Sequence, residues 1–323
     1  MKENWERTKP LQQFNEQEII KMMQNYLPDK KVTSVKPLNG GYRNSNYKIH
    51  IESMEKPLVL RVSNEKNCMF ENSLHQLLSK KLPVPEIYYS EYFGDKSFSI
   101  MEWKEGIQLK KVMYGYDEKA IIKAAFSTGY WLSEMRKVTF STSGFFDEKL
   151  EVSEPLTLTP DLFLKFMEQF LLEGQTSHWL GKELSGKLWV FVHKNSHFLE
   201  EIDHEPALVH SDFNGLNILV SDKESPEVSG ILDWEFAFAG PVYVDIGNML
   251  RYENIPYYKV FEHAFMEGVQ SGGMILAPEW KKIAKLVDLI ALCELLDNRF
   301  GGENRVNDIK SLIEQTLRKW DSY

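Results

Sequence analysis

The chain has 323 residues, enough for one large domain or two lobes, and its 43% hydrophobic and 26% charged residues are ordinary for a globular protein. Its 47 acids against 38 bases give a net charge of −9, which argues against generic nucleic-acid binding, because phosphate contacts need clustered Lys and Arg. No run reaches 18 apolar residues, so no membrane span is expected, and the polar stretch MKENWERTKPLQQFNEQE lacks the apolar region of a secretory signal.

In chain order, FNEQEIIKMMQNY (14–26) reads as an amphipathic helix. Asn15 is placed to cap it with Glu18 three residues on, and Ile19, Ile20, Met22, Met23 and Tyr26 form its apolar stripe. VTSVKPL and NYKIHIE then read as strands around a turn at Asn39-Gly40-Gly41, followed by Arg43, Asn44, Ser45 and Asn46. KPLVLRVS (56–63) is a third strand, MFENSLHQLLSKKL (69–82) a helix, PVPEIYYSEY a loop into a fourth strand, and FSIMEWKEG (98–106) a fifth. Beyond residue 107 the apolar spacing becomes helical in six segments, between 123 and 320. Short strand-like runs interrupt them near 206–221 and 228–232. The expected division is a nucleotide-binding lobe over 1–105 and a helical lobe over 106–323. There is no internal repeat. The two cysteines, Cys68 and Cys293, lie far apart and read as small buried hydrophobes in a reducing, cytoplasmic setting.

The chemistry concentrates in LVHSDFNGLNILVSD (208–222). His210, Asp212 and Asn217 occupy a short loop between two apolar arms, and Asp233 follows Asn217 by sixteen residues at the end of another short apolar run. An Asp and an Asn brought together offer hard oxygen ligands of the kind Mg²⁺ takes, with substrate phosphates completing the shell. Asp212, placed beside a bound hydroxyl, would orient it and accept its proton. A polar hairpin turn is the bland alternative for the His-x-Asp pair alone. The upstream residues fill the remaining slots of a phosphotransfer site in order: Gly40 and Gly41 in the turn between strands one and two, Arg61 on strand three, and Glu71 opening the next helix.

On VHSDFNGLNILV and ILDWEFAFAGPVYVDIGNML the chain resembles the aminoglycoside phosphotransferase and choline kinase superfamily, over roughly residues 30–250. The resemblance implies an α+β, protein-kinase-like two-lobe fold: a five-stranded antiparallel sheet with one main helix, then a mostly helical C-terminal lobe. It implies Asp212 as catalytic base, Asn217 and Asp233 as Mg²⁺ ligands, and Asp245 as a structural acid tying the metal loop to the following helix. Nucleotide contacts would come from Gly40, Gly41, Asn44, Ser45, Asn46, Arg61 and Glu71. The base of ATP or GTP would lie against Met101, Glu102 and Trp103, with Met101 behind it as gatekeeper. His210 is expected to fix the loop rather than react. Glu235 is read as a solvated acid, with contact to a second metal or a water as the alternative.

Three departures from the template matter. Strand three carries Arg rather than Lys, which keeps the charge and adds a bidentate grip. Asp233 is followed by Trp-Glu rather than Phe-Gly. There is no Ala-Pro-Glu segment and no long loop between Asp233 and Asp245, which points away from protein substrates. The expected acceptor is a small molecule with a hydroxyl group. Acids at Asp147, Glu148, Glu151, Glu154, Asp161, Glu294, Asp297 and Glu303 suit an amine or aminoglycoside, and aromatics at Phe145, Phe146, Phe163, Phe166 and Trp179 suit a macrolide or quaternary amine. A kinase-like binding module without catalysis, and a protein kinase, are the rival classes. GKELSGKL (181–188) imitates a P-loop, but Leu188 stands where a Mg²⁺-binding Ser or Thr is needed.

Overall fold

The computed structural model describes residues 5–6, 14–38, 44–63, 68–94, 96–299 and 301–323. Helix α1 (Glu16–Tyr26) begins with the expected reciprocal cap: Asn15 Oδ1 accepts from Glu18 N at 3.0 Å and Glu18 Oε2 from Asn15 N at 2.9 Å. Its buried face, Ile19, Met22 and Met23, covers a sheet of β1 (Val32–Leu38), β2 (Ser45–Ile51), β3 (Leu58–Ser63), β4 (Ile87–Phe93) and β5 (Lys96–Glu102). The strand order is β1-β2-β3-β5-β4, antiparallel throughout. Alternation sends Tyr47, Ile49, Leu60, Val62, Phe98 and Ile100 into the core beneath α1. Arg61 therefore points to the opposite face, and since β3 lies between β2 and β5 it is a central position rather than an edge one.

Helix α2 (Cys68–Leu78) is shorter than the sequence pattern: residues 79–83 form turns, consistent with Leu82 preceding Pro83, where helical backbone is disfavoured. Leu74 and Leu78 belong to the core of the helical lobe, not to the core under α1. The strands β6 (Ile107–Gln108), β10 (Ile218–Val220) and β11 (Val228–Ile231) make a small sheet, and β7 (Gly144–Phe146), β8 (Val152–Pro155), β9 (Ala207–Val209) and β12 (Phe238–Gly240) another, ordered β8-β7-β12-β9. Helices α3 (Leu109–Met113), α4 (Glu118–Arg136), α5 (Pro160–Glu168), α6 (Thr176–Leu180), α7 (Lys182–Asn195), α8 (Tyr243–Met249), α9 (Tyr258–Ser271), α10 (Trp280–Leu296) and α11 (Glu303–Lys319) complete the lobe.

Helices α4 and α9 lie in direct backbone contact. A Cβ on Gly129 would stand 1.9 Å from the Phe265 carbonyl oxygen, and one on Gly268 would stand 2.1 Å from that of Phe126. The glycines let the two backbones touch. The P-loop imitation dissolves here: GKELSGKL runs from the Gly181 cap into α7 and is preceded by helix α6 rather than a strand. Both cysteines are free and buried, as expected. Among the described residues no helix is long and apolar enough to cross a membrane.

Candidate active site

The loop between β9 and β10 carries Asp212. It is anchored from behind by Asp245 on α8, whose Oδ2 accepts from His210 N at 2.8 Å and whose Oδ1 accepts from Ser211 N at 2.9 Å. Ser211 sits at φ 69°, a left-handed backbone that a serine adopts at a cost of about 1 kcal/mol or more, so the loop is held there by its partners. Burial pushes the Asp245 carboxyl up to about 7, against the two amides that pull it down. Asp245 is structural, but it fastens the Asp212 loop to α8, not the loop of Asp233 as the resemblance implied.

His210 is fully buried, with Nε2 2.8 Å from the Leu232 carbonyl and Nδ1 3.2 Å from Asp212 N. Those partners assign the tautomer: Nε2 donates and Nδ1 accepts. Burial holds its pKa below the usual histidine value, outweighing the pull of Asp212, so the ring is neutral. With its ring 4.5 Å from that of Trp234, it ties the two loops together.

Both Asp212 carboxylate oxygens are oriented by amides. Asn214 Nδ2 donates to Oδ1 at 2.8 Å and Asn217 Nδ2 to Oδ2 at 2.8 Å, and both also reach the Asp212 carbonyl. Asn214 was not among the candidates drawn from the sequence; the Asn-Gly turn two residues after Asp212 was its only signal. With its nitrogen engaged, Asn217 retains Oδ1 as an acceptor. The Asn217 main-chain oxygen takes Leu232 N at 2.8 Å across the β10–β11 hairpin. That bond fastens the chain at the residue before Asp233, which is also left-handed at φ 69°.

Arg61 reaches the same place from the sheet. Its Nη2 lies 2.8 Å from Asp233 Oδ1 and 3.3 Å from Glu235 Oε2, and its Nε lies 3.5 Å from Glu71 Oε2. Burial opposes the charge on Arg61, but Glu71, Asp233 and Glu235 outweigh it and raise the guanidinium above its ordinary range. The reading of Glu235 as solvated is corrected: its side chain is 6% exposed and also accepts from Asn44 Nδ2 at 3.0 Å. The bend after Asp233 turns it inward, and burial together with Asp233 pushes its carboxyl up to about 7.

The remaining candidates divide. Gly40, Gly41 and Arg43 lie outside the described residues. Asn44 is buried against Glu235, whereas Ser45 and Asn46 are paired in β2, with Asn46 opposite Arg61. Met101 is 7% exposed at the end of β5. Glu102 N is already donated to the Glu86 carbonyl at 2.8 Å. The Trp103 indole donates to Glu105 at 2.7 Å and lies under Lys48, 3.8 Å from the ring centroid. Of the acceptor candidates, Phe163 is core, Asp147 is occupied by the amides of Lys149 and Glu151, and Asp297 accepts from Gln175 N. Two surface grooves, of about 220 Å³ beside Tyr116 and about 420 Å³ beside His263, lie elsewhere and touch none of Asp212, Asn217 or Asp233.

Among the described residues no group of three or more His, Cys, Asp or Glu is arranged to hold a metal ion. The Asn217–Asp233 pair is nonetheless a donor set of the right chemistry for Mg²⁺, which commonly takes one or two protein oxygens and completes its shell with phosphate and water.

Residues 34–281 match the phosphotransferase enzyme family. Among solved structures, that of the aminoglycoside phosphotransferase APH(4)-Ia is similar with a TM-score of 0.72 at 15% identity, over 94% of this chain and 99% of that one. The ADP-bound form of aminoglycoside phosphotransferase APH(2'')-Ib gives 0.63 at 16% identity, over 94% and 99%. The gentamicin complex of APH(2'')-IIa gives 0.65 at 17%, over 95% and 98%. At such identities the likeness is one of fold. No curated protein sequence matches the chain.

Proposed function

Because the chain belongs to the phosphotransferase enzyme family, we propose that it transfers the γ-phosphate of ATP or GTP to a hydroxyl group of a small-molecule acceptor, with Asp212 as the base. The observation that carries this reading is the Asp212 carboxylate, fixed by one amide on each oxygen in a loop bonded to the segment that bears Asp233. A carboxylate so restrained is ready to align a hydroxyl and take its proton.

Asn217 and Asp233 would hold Mg²⁺, which supplies positive charge beside the phosphates. Arg61 would grip phosphate oxygens with its forked donors, braced by Glu71 and Glu235. Since the Glu102 amide is committed to Glu86, the base edge would be met by the main chain from Trp103 onward, with Met101 behind it. An aminoglycoside-like or other small amine or sugar is the acceptor class best supported, on the strength of the fold shared with aminoglycoside phosphotransferases and an overall charge of −9 that favours cations.

Titration calorimetry tests the nucleotide and metal half of this reading. Wild type should bind a non-hydrolysable ATP analogue at least ten-fold more tightly with Mg²⁺ than without, and Asp233→Ala should abolish that difference. Equal affinity with and without Mg²⁺ in the wild type would remove the metal from the reading.

A further inference from the structure

Helix α10 carries two buried charged residues, Lys285 and Asp288, 3% and 5% exposed. Asp288 receives Arg251 in a two-point grip, with Nη2 2.7 Å from Oδ1 and Nε 3.0 Å from Oδ2, and Arg251 is itself 3% exposed. Lys285 donates to the Leu250 carbonyl at 3.1 Å and pairs with Glu253 at 2.7 Å. A Cβ on Gly247 would stand 2.5 Å from the Ala284 carbonyl oxygen, so α8 lies directly on α10. The chain from 247 to 253 is thus fastened to α10 at several points.

A buried ion pair is often no better for stability than apolar residues of the same volume, which raises the question of what else Arg251 holds. Its Nη2 donates to Asn248 Oδ1 at 3.2 Å, and Asn248 Nδ2 donates to the Phe213 carbonyl at 3.3 Å. The amide is assigned in this sense because the opposite one turns its nitrogen toward the Arg251 donor and its oxygen toward the Phe213 carbonyl, leaving Nδ2 only a 3.4 Å bond to the Ser211 carbonyl. Phe213 directly follows Asp212. On the other flank, Asp245 from the same helix holds the amides of His210 and Ser211. Asp212 is therefore bracketed by two attachments to α8, and the second is braced by α10.

We propose that Asp288 and Arg251 are positioning residues that act through Asn248 on the Phe213 carbonyl to hold the Asp212 carboxylate in register for transfer. The functional part rests on the reading of Asp212 as the base. A shift of about 1 Å in such a group costs on the order of 100-fold in rate. None of the three residues need touch a substrate to exert this effect.

Two variants separate positioning from stability. Arg251→Met with Asp288→Leu replaces the pair with apolar groups of similar size, and Asn248→Ala breaks the link while leaving the pair intact. The first readout is backbone amide exchange in the free protein. Peptides covering 210–217 should exchange at least ten-fold faster in both variants, while peptides from α4 and α9 stay unchanged. The second is Mg·ATP turnover without acceptor. Its kcat should fall ten- to hundred-fold with the KM for ATP within about three-fold, in variants whose thermal transitions show them folded. Unchanged exchange at 210–217 in Asn248→Ala overturns the proposal whatever the turnover. Unchanged kcat in a folded variant also overturns it. Asp212→Asn, measured beside them, reports separately on the base: wild-type turnover there sinks the functional reading and leaves the exchange result to decide the structural link.

Discussion

Replacing Arg61 by Met keeps most of the side-chain volume and removes the cation that, among the described residues, faces Glu71, Asp233 and Glu235 together. Two of those carboxylates are nearly enclosed, with Glu71 at 4% and Glu235 at 6% exposure, whereas Asp233 at 34% keeps water. Stranding a buried charge commonly costs about 3–5 kcal/mol. The protein has an escape, because a stranded carboxylate can take a proton. Holding that proton costs about 1.4 kcal/mol for each pH unit above roughly 4.3, hence about 4 kcal/mol at pH 7 and about 2 at pH 5.5. Glu235, already pushed up to about 7, adds little at neutral pH, so Glu71 sets the scale. Urea unfolding followed by circular dichroism should show Arg61→Met less stable than wild type by about 3–4 kcal/mol at pH 7 and by about half that at pH 5.5. Adding Glu71→Gln should return at least about 1 kcal/mol at pH 7. A loss below about 1 kcal/mol, or one independent of pH and of Glu71, would refute the view that Arg61 is held as a charge-compensating centre.

His75 is buried on α2 with Nδ1 2.7 Å from the Pro85 carbonyl, and burial lowers its pKa to about 4, with the hydrogen bond only partly offsetting it. The unfolded chain, titrating near 6.5, binds the proton first, so His75 withdraws about 2 kcal/mol of stability as pH falls from 7.5 to 5. Asp245, raised to about 7, carries the opposite sign over the same range. The effect is therefore read as the gap between wild type and His75→Asn, which should narrow by about 2 kcal/mol on acidification; a constant gap contradicts it. Gly129→Ala drives a methyl to within 1.9 Å of the Phe265 carbonyl oxygen, and separating α4 from α9 should cost about 3 kcal/mol in chemical unfolding. A loss under about 0.5 kcal/mol would mean that the helices can slide apart freely.

The strands of the N-terminal sheet were legible because their side chains alternate, and the loop around Asp212 because its polar residues fall at a short, fixed spacing between apolar arms. The cap on α1 was equally local. What escaped was long-range. Arg251 and Asp288 lie 37 residues apart, and each sits in an apolar neighbourhood where a charge reads as solvated helix surface. Glu235 was misplaced because the left-handed Asp233 turns the chain inward, a bend that residue type does not announce. Asn214 shares its Asn-Gly signal with any tight turn. The helix read to Leu82 ends at Leu78; Pro83 disfavours helical backbone only at Leu82, the residue before it.

Transfer of labelled γ-phosphate from ATP to a panel of hydroxyl-bearing amines, aminoglycosides and sugars bears most directly on the chemistry assigned to Asp212. Wild type should label at least one acceptor, and Asp212→Asn should cut the kcat for that acceptor by about 10²–10⁴-fold while still binding Mg·ATP. Transfer by Asp212→Asn at the wild-type rate would contradict the assignment.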